Sequence, residues 1–172
     1  MSYLRIFRKR AFPLDPSRVL PLVRHPNSRV FAAAFTALSL VTDPRMRRLA
    51  VELLADESIS SFQRGRAADL LVRNAAPGDV ALLSGLLATR QDDDELHGLG
   101  FGLLDWLAAH PAPDAASALV AIYEYDPCSL CRERAVERLH EINALPDWLV
   151  EECRYDANID LRRSVDSWHL TR

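Results

Sequence analysis

At 172 residues, 49% hydrophobic and 26% charged, the chain is large enough for one ordinary core or for a short repeat array. No run of about 18 uncharged apolar residues exists to span a membrane, and the basic start "MSYLRIFRKRAF" lacks the apolar stretch and small-residue cleavage site of a secretory signal. The net charge of -3 hides a split: residues 1–90 hold 14 Arg or Lys against 7 Asp or Glu, and residues 91–172 hold 7 against 17, so one end is basic and the other acidic.

Residues 1–14 form a basic N-terminal cap segment. Beyond them, Pro44, Pro77, Pro111 with Pro113, and Pro146 recur about every 33 residues, the spacing of a repeat unit. After each comes an apolar-periodic run: "MRRLAVELLA", "DVALLSGLLA", "DAASALVAIY" and "DWLVEECRY". Each predicts a helix with proline in its first turn, where a missing N–H costs little. A second helix follows in every unit: "VFAAAFTAL", "QRGRAADLL", "LHGLGFGLL", "CRERAVERL" and "LRRSVDSWH", starting at Val30, Gln63, Leu96, Cys131 and Leu161. Aligned without gaps, these helices place Ala34, Ala67, Gly100, Ala135 and Val165 at the fifth position. Leu38, Leu71, Leu104 and Leu139 occupy the ninth, and His169 departs from it. At 100° per residue, positions one, five, eight and nine share one face, and the small fifth residue lets a neighbouring helix approach.

These residues resemble the HEAT-repeat superfamily, particularly its short bacterial, phycobilisome-lyase-type repeats. The family's second helix carries Val-Arg-x-x-Ala-x-x-Ala-Leu. Arg64, Arg132 and Arg162 take the arginine place; Phe31 and His97 do not. The resemblance implies an all-α fold, an α-solenoid of about five antiparallel two-helix units within one domain. The units run approximately over 15–43, 44–76, 77–110, 111–145 and 146–172. A non-solenoid helical bundle is the alternative architecture.

"LHGLGFGLLDW" therefore reads as a helix, not a phosphate loop. No Gly-x-Gly-x-x-Gly fingerprint follows a strand here, and Asp92, Asp93, Asp94 and Glu95 before it suit a helix N-terminus. Gly98 and Gly102 fall at the third and seventh positions, predicted to face outward. Outward positions of the first three units carry short side chains such as Ala32, Gly65, Gly98 and Gly102. HEAT-like arrays usually present second helices on the concave surface, so the resemblance implies partner binding there. The expected contact residues are Phe35, Arg66, Asp69, Arg73, Gly98, Phe101, Gly102, Asp105 and Trp106. Phe35, Phe101 and Trp106 can equally be core residues.

No catalytic, cofactor-binding or metal-ligating residue is expected. "CSLC", Cys128 to Cys131, is a Cys-x-x-Cys that Cys153 and His140 could complete to a tetrahedral set. Cys131, however, occupies an apolar helix position, where free cysteine packs well. Three cysteines are too few for a disulfide framework and suit a reducing cytoplasm. His140-Glu141 resembles one iron-binding dyad of HEAT-fold deoxyhypusine hydroxylases, but that family needs several dyads and this chain has one. No bilin site can be read. The expected function is a non-catalytic scaffold that binds a protein, either an acidic segment or another copy of the chain. The alternative is nucleic-acid binding by the basic half, with Arg5, Arg8, Arg29, Arg48, Arg73 and Arg90 among its cations; a sequence pI near 5.9 weighs against it.

Overall fold

The computed structural model describes residues 4–89 and 92–169. Arg90 and the side chains of Arg5, Arg8 and His169 lie outside the described residues. Among the described residues all regular structure is helical. Short 3-10 turns at Leu4–Arg8, Pro16–Arg18 and Leu20–Arg24 lead into α1 (Ser28–Leu38), α2 (Pro44–Leu54), α3 (Ser61–Ala67) and α4 (Asp69–Val72). Then come α5 (Asp79–Ala88), α6 (Asp93–Ala109), α7 (Ala116–Tyr125), α8 (Ser129–Glu141), α9 (Asp147–Cys153) and α10 (Ile159–His169).

Local chemistry explains the starts. The Asn27 side chain accepts the Arg29 N–H ahead of α1, and Asp43 accepts that of Arg45 ahead of α2. Ser60 and Gln63 form a reciprocal capping box on α3. Asp92 caps α6 by accepting the Glu95 N–H, with Asp93, Asp94 and Glu95 in the first turn, as the acidic run predicts. The proline expectation holds in full only at Pro44, the first residue of α2. Pro77 precedes Gly78, whose φ of 93° sets the entry to α5. Pro113 opens a 3-10 turn ahead of α7, and Pro146 is the residue before α9.

Consecutive helices pair: α1 packs on the Leu20–Arg24 turn, α2 on α3 and α4, α5 on α6, α7 on α8, and α9 on α10. Helix α6 also lies against α3 and α4 on one side and α8 on the other, while α5 touches α7. One continuous apolar core runs from Val19 to Val165. The aligned register faces it: Ala34, Ala67 and Ala135 are fully buried, as are Leu38, Leu71, Leu104 and Leu139. Gly100 belongs with them, since a Cβ there would lie 3.3 Å from the Ile122 side chain of α7.

The "QRGRAADLL" segment departs from the single expected helix. It breaks at Ala68, whose N–H bonds the Gly65 carbonyl in a tightened 3-10 step. The break lies where α3 crosses α6.

Candidate functional site

That crossing overturns the predicted glycine patch. Gly65, Gly98 and Gly102 are buried, not outward-facing. A Cβ on Gly98 would stand 2.6 Å from the Ser61 carbonyl, and one on Gly65 would collide with the Gly98 carbonyl. A Cβ on Gly102 would strike the Gly65 carbonyl and lie 3.0 Å from the Ala68 Cβ. The short side chains that a flat docking surface would use instead bring two backbones of the same chain together. Phe35 and Trp106 are corrected likewise. Phe35 is 1% exposed and packs on Phe31 with ring centroids 4.6 Å apart, and Trp106 is 6% exposed against His110. Both belong to the continuous apolar core.

Three of the four polar members of the predicted face, Arg66, Asp69 and Asp105, do come together. Arg66 pairs with Asp69 at 2.8 Å. Arg134 of α8 pairs with Asp105 of α6, and its guanidinium lies 5.1 Å from the Phe101 ring centroid. Burial pushes the Asp69 carboxyl up to about 6; the nearby Asp105 charge adds to this and Arg66 opposes it. Arg73 is exposed and has no ion pair among the described residues.

Beside this strip, α1 and α3 leave a groove of about 710 Å³ between their N-terminal halves. Phe31 and Ala32 form one wall and Phe62 the other, with Arg29 and Arg66 at its rim. Phe62 is 60% exposed, a large side chain left unburied beside an apolar hollow. Its place is set by the capping box, which fixes the first turn of α3.

A second feature recurs along the chain. At the second aligned position, Arg64 and Arg132 each tie their own helix to elements on either side of it in the chain. Arg64, 8% exposed, donates to the Leu54 carbonyl of α2 at 3.0 Å and pairs with Glu95 at the start of α6. Arg132 lies 5.9 Å from the Tyr123 ring centroid of α7 and pairs with Asp156, just before α10, at 2.8 Å. Between these two, the equivalent residue is His97. Its Nδ1 lies 3.2 Å from Asp126 Oδ1. Asp126 stands five residues before Cys131, as Asp156 stands five before Leu161. Each accepts the backbone N–H two residues on, at 2.8 Å.

Two thiols complete this place. Cys131 Sγ is 3.6 Å from His97 Nδ1, and one ligand atom each from His97, Asp126, Cys128 and Cys131 falls within 4.8 Å of the others. Burial pushes the Cys131 thiol up, with Asp126 and Cys128 adding to the effect. The pairing differs from the one considered from sequence. His140 stacks on Trp168 at 4.1 Å, and neither it nor the buried Cys153 belongs to this group. Sequence reasoning missed His97 and Asp126 as partners, although they align with Arg132 and Asp156.

No protein-family model matches the chain, and no curated protein or solved structure matches it either.

Proposed function

We propose that the chain is a HEAT-like α-solenoid that acts as a non-catalytic, cytoplasmic protein-interaction module, and that it takes an acidic, partly apolar protein segment in the groove between α1 and α3. The observation that carries this reading is the exposed Phe62 beside an apolar hollow with Arg29 at its rim. Aromatic and arginine side chains dominate interface hot spots. The basic half would steer an acidic segment towards the groove, and salt would weaken the encounter. Sequential pairing of helices and the buried fifth and ninth positions support the repeat reading.

Internal pairing weighs against nucleic acid as the ligand. Arg24, Arg45, Arg47, Arg64 and Arg66 are each committed to a carboxylate within the chain, so the basic half presents fewer free cations than its composition suggests.

Fluorescence anisotropy tests the reading with three labelled probes: peptides in which Asp and Glu flank a Phe or Leu, neutral versions of them, and random duplex DNA. The acidic peptides should bind best, and progressively less well as salt rises. Phe62→Asp and Arg29→Glu should each reduce that binding while leaving the helical circular dichroism intact. Equal affinity for the neutral peptides, or tighter binding of DNA at moderate salt, overturns the proposal.

A further inference from the structure

The geometry points to a structural zinc site built from His97, Asp126, Cys128 and Cys131, at the junction of α6, α7 and α8. Its donor set is two thiolates, one imidazole and one carboxylate, the chemistry that tetrahedral Zn²⁺ takes. Zinc–ligand bonds of about 2.0–2.3 Å give tetrahedron edges of roughly 3.3–3.8 Å. The separations of 3.2 Å between His97 and Asp126 and 3.6 Å between His97 and Cys131 are already close to such edges. The remaining pairs lie within 4.8 Å, so closing the set takes an inward movement of at most about 1–1.5 Å.

Three independent observations support a cation here. Asp126 is 2% exposed, and its Oδ2 has no hydrogen-bond partner. A buried carboxylate oxygen left bare is costly, and a bound cation offsets that cost. Next, the preceding and following repeat junctions place an arginine against a carboxylate, Arg64 on Glu95 and Arg132 on Asp156. At this junction His97 stands in the arginine's place, and an imidazole, unlike a guanidinium, brings no fixed positive charge to the carboxylate; a bound ion would supply one. Finally, Cys128 stands immediately before α8 with its side chain making no capping hydrogen bond, and Cys131 sits in the first turn. Both are free thiols, and their sulfur atoms belong to the same group of donors within 4.8 Å of one another.

The surroundings fit. Gly100 lies one turn along α6 from His97, and α6 passes close beside the carboxylate there: a Cβ on Gly100 would be in ordinary contact with Asp126 Oδ2, at 3.7 Å. His97 is partly exposed, its side chain 41% accessible, which gives an ion a path from solvent. Four protein ligands leave no open position, so the ion would pin α6 to the α7–α8 turn and would not activate water. It would take over the cross-unit link that arginine makes elsewhere.

The test uses the whole chain, kept reduced with a phosphine and stripped of metal with a chelator. Cobalt(II) is titrated in, followed by zinc(II). One equivalent of cobalt should bind, giving the strong visible bands of a tetrahedral ion and a thiolate-to-cobalt charge-transfer band, and zinc should abolish both. Cys128→Ser and Cys131→Ser should each weaken cobalt binding at least tenfold. Cys153→Ser, which removes a buried thiol elsewhere, should leave the stoichiometry at one. His97→Arg rebuilds the arginine–carboxylate pair of the neighbouring junctions, so it should fold normally and bind no zinc. Absence of tetrahedral cobalt bands in the reduced wild-type chain overturns the site. So does their survival in the Cys128→Ser, Cys131→Ser double variant.

Discussion

Gly98 passes Ser61 so closely that a Cβ on the glycine would stand 2.6 Å from the serine carbonyl carbon and oxygen. Only a backbone without a side chain fits there, and Gly65 meets the same helix from the other side. Glycine in a helix interior costs about 1 kcal/mol against alanine. Here that cost is offset by the close approach of α3 and α6 it permits, which buries Leu99 and Leu103 alongside. Gly98→Ala and Gly65→Ala should therefore destabilise the chain, by about 1–3 kcal/mol or more, since the obstacle is backbone. Urea midpoints lowered in both variants would bear this out; unchanged midpoints would mean that the helices do not cross at these glycines.

Gly85 provides the opposite sign. It lies in the middle of α5, exposed, with nothing within 4 Å of an added Cβ. Gly85→Ala should raise stability by up to about 1 kcal/mol, because it removes backbone freedom from the unfolded chain without a clash. The same urea series detects it as a higher midpoint with an unchanged slope.

The fifth aligned position gives a third measurement. Ala67 and Ala135 are fully buried. Leucine at either needs space that the neighbouring helices fill. Ala67→Leu and Ala135→Leu should each cost about 1–3 kcal/mol. Normal midpoints in both would show the helix register to be wrong.

The core register was legible because a 3.6-residue period and a recurring small residue both pointed to one face. The outward face was not. A glycine at an exposed position and a glycine at a tight crossing look alike until the neighbouring helix is placed. The clue lay in their coincidence: Gly65 and Gly98 share the third position of adjacent units, and Gly102 lies one turn beyond Gly98 on the same face. His97 was read as a departure from the arginine pattern. Aligned with Arg64 and Arg132, and with Asp126 aligned to Asp156, it marks a link made by different chemistry. Phe62 escaped notice because it precedes the aligned segment, and its exposure depends on where α1 ends up relative to α3.

Arg64 offers a fourth prediction. It holds the Leu54 carbonyl and Glu95 together from an almost wholly buried position. Arg64→Ala removes their shared partner and leaves a cavity, and should cost about 3–5 kcal/mol, the usual penalty for breaking a buried pair. Arg64→Met keeps most of the volume and should cost less. If the alanine variant unfolds at the wild-type urea concentration, Arg64 does not hold α2 and α6 to α3.

The last prediction concerns pH. The Asp69 carboxyl is raised from 3.8 to about 6, chiefly by burial, with Asp105 adding and Arg66 opposing. In the unfolded chain it ionises near 4. Between pH 4 and 6 the folded chain therefore holds a proton that the unfolded chain has released. Stability from this group is full below pH 4, falls as pH rises to 6, and levels off above. The loss is on the order of 1–3 kcal/mol, from a shift of about two units. Asp69→Asn keeps the shape and cannot ionise. Its stability relative to wild type should rise across that interval, most visibly when urea midpoints at pH 4.5 and pH 7 are compared. Arg66 loses its charged partner in the variant, but it is partly exposed and water replaces much of that interaction. Asp15, Asp43 and Asp56 are lowered by hydrogen bonds and arginine partners, so they weaken the fold at more acid pH in both proteins and cancel in the difference. A difference between variant and wild type that does not change between pH 4.5 and 7 would show that Asp69 ionises in the folded chain as it does in the unfolded one.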